Sequence, residues 1–79
     1  MSTKEKEREV TFEINEHFGV ISVSANGWQR ELNMVSWNGG MPKYDLRDWD
    51  KNHKSMSRGI TLTKEELKTL ETLILELKL

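Results

Sequence analysis

Apolar and polar residues alternate near the start of the chain, and this pattern predicts a half-buried β-strand. The segment Val10–Ile14 has the period of two that sends neighbouring side chains to opposite faces of a strand. After Gly19 the alternation resumes in the opposite phase, with Ile21 and Val23 as its apolar positions. A glycine at such a phase change indicates a turn or a bulge. Residues 10–24 are therefore predicted to form either one bent strand or a short hairpin.

Asparagine and glycine divide the middle of the chain into further strands. Asn26-Gly27 and Asn38-Gly39-Gly40 are strong turn signals, because asparagine and glycine both tolerate positive φ. One predicted strand lies between these turns, in residues 28–37, and another follows them, in residues 43–50. A polar loop then leads to a short last strand at Gly59–Leu62.

The C-terminal segment has the pattern of an amphipathic helix. Thr63 and Glu66 form a capping box, in which each side chain accepts a hydrogen bond from the other residue's backbone N–H. Apolar residues then recur at spacings of three and four and give one stripe along the helix: Leu67, Leu70, Leu73, Ile74 and Leu77. Leu75 and Leu79 fall outside this stripe, which indicates a second contact surface on the helix.

These elements predict an α+β fold, in which an antiparallel sheet of four or five strands is covered on one face by a single C-terminal helix. A helix of about 16 residues is about 24 Å long and can cover only one sheet face. Residues 1–9 are expected to be a charged, flexible N-terminus, and residues 10–79 the folded domain. The second face of the sheet is left open to solvent or to a ligand.

Length and composition add an expectation about assembly and location. The 79 residues include no cysteine and two histidines, so a disulfide is excluded and a zinc site is not predicted. A domain this small gains stability by association, and we expect a homodimer. No apolar run reaches the roughly 20 residues of a membrane span, and no signal peptide is recognisable, so the expected location is the cytoplasm, with the nucleoid included.

Strand alternation sorts the side chains of the middle segments between the two sheet faces. The helix is expected to cover Leu32 and Leu46. The opposite parity then places Trp37, Arg47 and Trp49 together on the open face. Exposed aromatic rings stack unpaired bases, and cations follow the phosphates of a single strand. This arrangement predicts a surface that binds single-stranded nucleic acid, and it favours that function over simple packing of the two tryptophans.

The distribution of charge supports this prediction better than the net charge of −1 does, because residues 28–59 carry six basic and four acidic side chains. The predicted nucleic-acid-binding residues are Trp37, Lys43, Arg47, Trp49, Lys51, Lys54 and Arg58. Two alternatives stay open at this point. Arg47 could instead pair with Glu31 or Asp48, and each lysine or arginine of the loop could be an ordinary solvated charge. Asp45, on the same face, is expected to orient Arg47 or Lys43.

Motifs for catalysis are absent from the sequence. It contains no GxSxG, GxxxxGK[ST], HExxH or DxDxDG pattern. His53, in a polar loop, is interpreted as a surface histidine rather than a general base. The sequence therefore predicts no enzyme, no cofactor, no metal site and no small-molecule substrate.

One stretch of the chain resembles a known family. The run Lys43–Trp49, followed ten residues later by Gly59–Thr63 and a helix, resembles the C-terminal domain of the eukaryotic transcriptional positive cofactor four. Together with residues 27–33 and 35–38, it is more similar still to short bacterial relatives, the YdbC family. The resemblance implies a four-stranded antiparallel sheet and one helix, dimerised partly through that helix. It also implies binding of single-stranded DNA with little sequence preference.

The resemblance also implies a role for particular residues. Trp37 matches a stacking aromatic at the end of the second strand, Arg47 and Trp49 match a pair on the third strand, and Lys54 and Arg58 match basic residues before the last strand. The predicted function is thus single-stranded DNA binding in transcription regulation, replication or repair, with RNA as a second possible ligand. The alternative is a protein-interaction adaptor that docks a partner on Trp37 and Trp49.

Overall fold

A computed structural model describes residues 10–79, which form a four-stranded antiparallel sheet with strand order β1-β2-β3-β4, followed by one helix. The elements are β1 (Phe12–Val23), β2 (Gln29–Trp37), β3 (Lys43–Trp49), β4 (Ile60–Leu62) and α1 (Lys64–Leu77). The predicted α+β fold is confirmed, with four strands and not five. The segment expected to be a flexible N-terminus, residues 1–9, lies outside the described residues.

The first strand is a single bent strand, which settles the choice left open by the sequence. β1 pairs with β2 along its whole length, from Phe12 opposite Trp37 to Val23 opposite Gln29. The register shifts at three places along β1: Ile14/Glu16, His17/Gly19 and Val20/Ser22. Each irregularity bends a strand and increases its twist. The phase change at Gly19 is the middle one of these three shifts.

The turns and the start of the helix form as the sequence predicts. Gly27 and Gly39 have φ values of 91° and 75°, which the asparagine-glycine signals require. The Thr63 N–H donates to Glu66 Oε1 over 2.9 Å, and the Glu66 N–H donates to Thr63 Oγ1 over 3.1 Å, so the capping box is complete. α1 ends at Leu77, and the following C-cap residue, Lys78, adopts the left-handed conformation.

The helix covers less of the sheet than predicted. α1 approaches β3 and β4 but neither β1 nor β2, and none of its residues is buried. Leu32, on β2, and Leu46, on β3, are consequently only half-buried. The physical reason is that one residue, Thr63, separates the short edge strand β4 from the helix. This short link starts α1 at the sheet edge, and the helix then lies beside β3 and β4 only.

The best-buried side chains lie instead on the open face, the face that carries Trp37, Arg47 and Trp49. Val35 and Trp49 are fully buried there. They lie beside three buried polar residues of the same strand parity, Glu31, Asn33 and Asp45. The β3–β4 connection, residues 50–59, folds back over this face, because the His53 ring packs against Trp49 and contacts Glu31 on β2. Further along the connection, Met56 pairs with Trp49, and Ser57 O accepts a hydrogen bond from Arg47.

Candidate nucleic-acid interface

The two tryptophans of the open face are close together, as strand parity predicts, but they differ in exposure. The ring centroids of Trp37 and Trp49 are 6.3 Å apart, and the rings are nearly parallel, at 11°. Phe12 on β1 packs against Trp49 at 5.0 Å, and His53 packs against it at 5.6 Å. Trp49 is therefore 0% exposed, whereas Trp37 is half-buried. The expectation that Trp49 projects freely from the sheet is wrong.

Arg47 is held in place by a buried carboxylate. Its Nε and Nη2 atoms lie 2.7 Å and 2.8 Å from the two oxygens of Asp45, a bidentate ion pair. The Trp37 Nε1–H donates to the same carboxylate over 3.2 Å, and the guanidinium carbon lies 4.4 Å from the centre of the Trp37 ring. Asp45 thus orients Arg47, as one sequence interpretation held, and Arg47 does not pair with Glu31 or Asp48. The result is a fixed Trp37–Asp45–Arg47 cluster with a cation–π contact.

The polar loop between β3 and β4 is ordered by hydrogen bonds. Asp50 Oδ1 accepts the backbone N–H of Ser55 over 3.0 Å and that of Lys54 over 2.8 Å. These bonds stabilise the ionised carboxylate of Asp50, and the bond from Ser55 has the largest effect. They lower the pKa of Asp50 below its ordinary value. At the end of the loop the backbone passes so close to β3 that a side chain at Gly59 would collide with Arg47. The loop is thereby fixed against the open face.

Four basic residues of the predicted site lie at the rim of the open face, and all are exposed: Lys43, Lys51, Lys54 and Arg58. Within residues 10–79, none of them forms a salt bridge, so their charges are available to an anion. Three belong to the loop that folds over Trp49. Lys43 lies at the opposite end of the seven-residue strand β3, about 20 Å from Trp49.

Two polar residues of this face were missed by the sequence interpretation. His53, predicted to be a surface histidine, has its Nε2 atom 3.0 Å from both carboxylate oxygens of Glu31. Glu31 itself is 1% exposed. The two residues are 22 positions apart, and only the return of the loop over β2 brings them together, so no local pattern could have indicated the contact.

In the described residues, no three histidine, aspartate or glutamate side chains are grouped so as to hold a metal ion. None of the described helical residues forms a segment long and apolar enough to cross a membrane.

The sheet carries a half-exposed tryptophan with an arginine stacked on it, and lysine and arginine side chains without salt bridges to the described residues surround them. This combination on an open antiparallel sheet is typical of proteins that bind single-stranded nucleic acid. The comparison with known proteins agrees with this class. The family described as Transcriptional Coactivator p15 (PC4) matches residues 24–73, more than half of the chain. An uncharacterized protein of Treponema pallidum (strain Nichols) is 41% identical over 63 residues, which cover 80% of this chain and 74% of that protein. The chain belongs to the Transcriptional Coactivator p15 (PC4) family.

Proposed function

We propose that the protein binds single-stranded DNA, with little sequence preference, on the open face of its sheet. The observation that carries the proposal is the Trp37–Asp45–Arg47 cluster beside four unpaired basic side chains, in a chain of the PC4 family. In this proposal Trp37 stacks a base, and Lys43, Lys51, Lys54 and Arg58 contact phosphates. Arg47 and Asp45 are positioning residues, because they hold the Trp37 ring in one orientation.

Trp49 has a supporting role in this proposal. It is fully buried against Phe12, Trp37 and His53. A nucleobase therefore cannot reach its ring unless the β3–β4 connection, which carries His53, moves away. It acts instead as the packed support beneath Trp37 and the basic loop. The stacking surface offered to the strand is therefore smaller than the sequence suggested, with one tryptophan per chain.

Fluorescence anisotropy with labelled dT and mixed-sequence oligomers tests the proposal. Binding should weaken with salt, with a log–log slope of about −3 to −4 if roughly four to six phosphates are contacted, at about 0.7 per phosphate. Replacing Lys51 and Lys54 by glutamine should make the slope shallower by about 1 to 1.5. Lys68→Gln, on an exposed position of α1, is the matched control and should leave the slope unchanged.

Each other outcome of the titration has a distinct meaning. Duplex DNA should bind more weakly, because its stacked bases cannot reach Trp37. An affinity that does not change with salt would contradict phosphate binding and favour the adaptor that docks a protein on the tryptophan face. Tighter binding of a matched RNA oligomer would replace DNA by RNA as the ligand and leave the surface the same.

We further propose that the protein acts as a homodimer associated through α1. Six apolar side chains at the C-terminus are 36–101% exposed in the described chain: Leu70, Leu73, Ile74, Leu75, Leu77 and Leu79. A two-fold contact would bury the same patch on both copies. Sedimentation at micromolar concentration should give twice the chain mass of 9.3 kDa. Ile74→Glu should give the single mass, and a monomeric native protein would refute the proposal.

The cellular role proposed is that of a strand-holding protein in transcription regulation, or in DNA replication and repair. Membership of a transcriptional coactivator family supports the first of these. The resemblance to the bacterial YdbC proteins supports a cytoplasmic protein associated with the nucleoid. Crosslinking in cells, followed by sequencing of the bound DNA, should recover transiently single-stranded regions. Uniform recovery of the genome would contradict the proposed role.

A further inference from the structure

Two histidines converge on one buried carboxylate of the open face. Glu31 Oε1 and Oε2 both lie 3.0 Å from His53 Nε2, and Oε1 lies 3.6 Å from His17 Nδ1. Asn33 joins the cluster, because its Nδ2 donates to Glu31 Oε1 over 3.0 Å and its Oδ1 lies 2.7 Å from His17 Nδ1. The residues come from β1, β2 and the loop over the open face, so the contacts tie three parts of the chain together.

The hydrogen bonds fix which imidazole nitrogens carry protons. Asn33 Oδ1 can only accept, so the Nδ1 of His17 donates to it. The carboxylate of Glu31 can likewise only accept when ionised, so the Nε2 of His53 donates. The second nitrogen of each ring makes no hydrogen bond with the described residues. Each ring can therefore take up a proton without breaking a contact seen in the structure.

Water reaches both rings. The side chains of His17 and His53 are 50% and 37% exposed, whereas that of Glu31 is 1% exposed. A cleft of about 220 Å³ lies between them, lined by Ile14, His17, Gln29, Glu31 and His53. Imidazole is the side chain that gains its charge between about pH 5 and 8. Protonation of both rings changes the net charge of the ionised cluster from −1 to +1 while the carboxylate stays enclosed.

The neighbouring charged groups do not cancel this change. On β3, Arg47 lies opposite Glu31 but is already paired with Asp45. In the loop, the His53 N–H donates to the Asp50 carbonyl oxygen over 3.0 Å, and the Asp50 carboxylate interacts electrostatically with His53. Lys54 follows His53 in the chain. Neither β4 nor α1 contributes a residue to the cleft.

The cluster also adjoins the surface proposed to bind DNA. The His53 ring packs against Trp49 at 5.6 Å, and its contact with Glu31 holds the loop that carries Lys51 and Lys54 against the sheet. We propose, on the basis of the proposed function, that the His17–Glu31–His53 cluster is a proton-controlled switch that raises the affinity of this face for a single strand as the pH falls. Protonated rings add positive charge near the phosphates and strengthen the contact that fixes the loop.

The test compares dT-oligomer affinities at about pH 5.5 and about pH 8 for the native protein and a His17→Gln/His53→Asn variant. Asparagine is chosen because His53 has a φ of 57°, which asparagine tolerates. The native protein should bind about three- to twenty-fold more tightly at the lower pH. The quantity compared is the ratio of each protein's affinities at the two pH values, because loss of the His53 contact with Glu31 also loosens the loop at the higher pH. This ratio should be much smaller for the variant than for the native protein. It retains every other titrating group, including the N-terminal amine.

A second measurement reports on the rings directly. Because coupling between two ligands is reciprocal, saturating dT oligomer should move the imidazole titration midpoints of His17 and His53, followed by NMR, to higher pH. Equal gains in affinity for the native protein and the variant, with unmoved midpoints, would overturn the switch and leave DNA binding intact. Absence of binding by the native protein at both pH values would overturn the proposed function itself, and the switch with it.

Discussion

Replacing Trp49 by alanine separates a core tryptophan from a stacking one. Trp49 is fully buried, and truncation of a buried tryptophan to alanine costs about 3–5 kcal/mol. A domain of 79 residues has a total free energy of unfolding of about 4–12 kcal/mol. The variant should therefore lose much of its stability. If the native free energy of unfolding is about 4 kcal/mol, the variant should not fold. Trp49→Phe should cost less, because it keeps one ring and removes an indole N–H that has no hydrogen-bond partner among the described residues.

Trp37→Ala is the comparison, because Trp37 is half-buried on the same face. It should cost about 1–3 kcal/mol in single-strand affinity, a factor of about 5 to 150, and leave a cooperative unfolding transition. Urea denaturation followed by circular dichroism, at a fixed protein concentration, gives the stability of each variant, and anisotropy gives its affinity. A stable Trp49→Ala protein with an unchanged urea midpoint and weakened DNA binding would refute the assignment of Trp49 to the core.

Three further substitutions test how the site is held together. Gly59→Ala should lower stability by about 1–3 kcal/mol in urea denaturation, because its Cβ would collide with Arg47, and an unchanged midpoint would contradict this close approach. Arg47→Ala should cost about 3–5 kcal/mol by leaving the Asp45 carboxylate buried and unpaired, whereas Arg30→Ala, which breaks an exposed pair, should change the midpoint little. The lowered pKa of Asp50 stabilises the fold at neutral pH, and this contribution is lost as the pH falls below about 4. Asp50→Asn should therefore lose less stability on acidification than the native protein, and identical acid profiles would exclude that contribution.

Features set by neighbouring residues could be predicted from the sequence. The capping box of Thr63 and Glu66 and the turn at Asn26-Gly27 depend on side chains within a few positions of one another, and both are present. Strand alternation likewise placed Trp37 and Trp49 on one face, because successive side chains in a strand must point to opposite faces. The bend of β1 was visible as a phase change at Gly19, although only the pairing with β2 excluded a hairpin.

Burial could not be predicted, because it depends on contacts between distant parts of the chain. The core was expected to lie between the helix and the sheet face that it covers. The one-residue link at Thr63 keeps α1 at the β4 edge, and the loop returning over Trp49 encloses the other face instead. That return requires the close approach at Gly59, where the sequence shows only one more glycine before a short strand. The same return brings His53 to Glu31, which no local pattern indicates.

The buried acidic residues change how the charge of the binding face should be counted. Asp45 is neutralised by Arg47, so neither contributes to the attraction of a phosphate, although both were counted in the sequence. The cations left for the strand are the unpaired ones at the rim, Lys43, Lys51 and the two others of the loop. Four contacts at about 0.7 each correspond to a salt slope of about −3 for one chain, the shallow end of the range expected from the number of bases engaged. A steeper slope requires further cations, either from the second copy of the proposed dimer or from Arg47 exchanging Asp45 for a phosphate on binding. In the second case Asp45→Asn, which weakens that ion pair, should tighten binding.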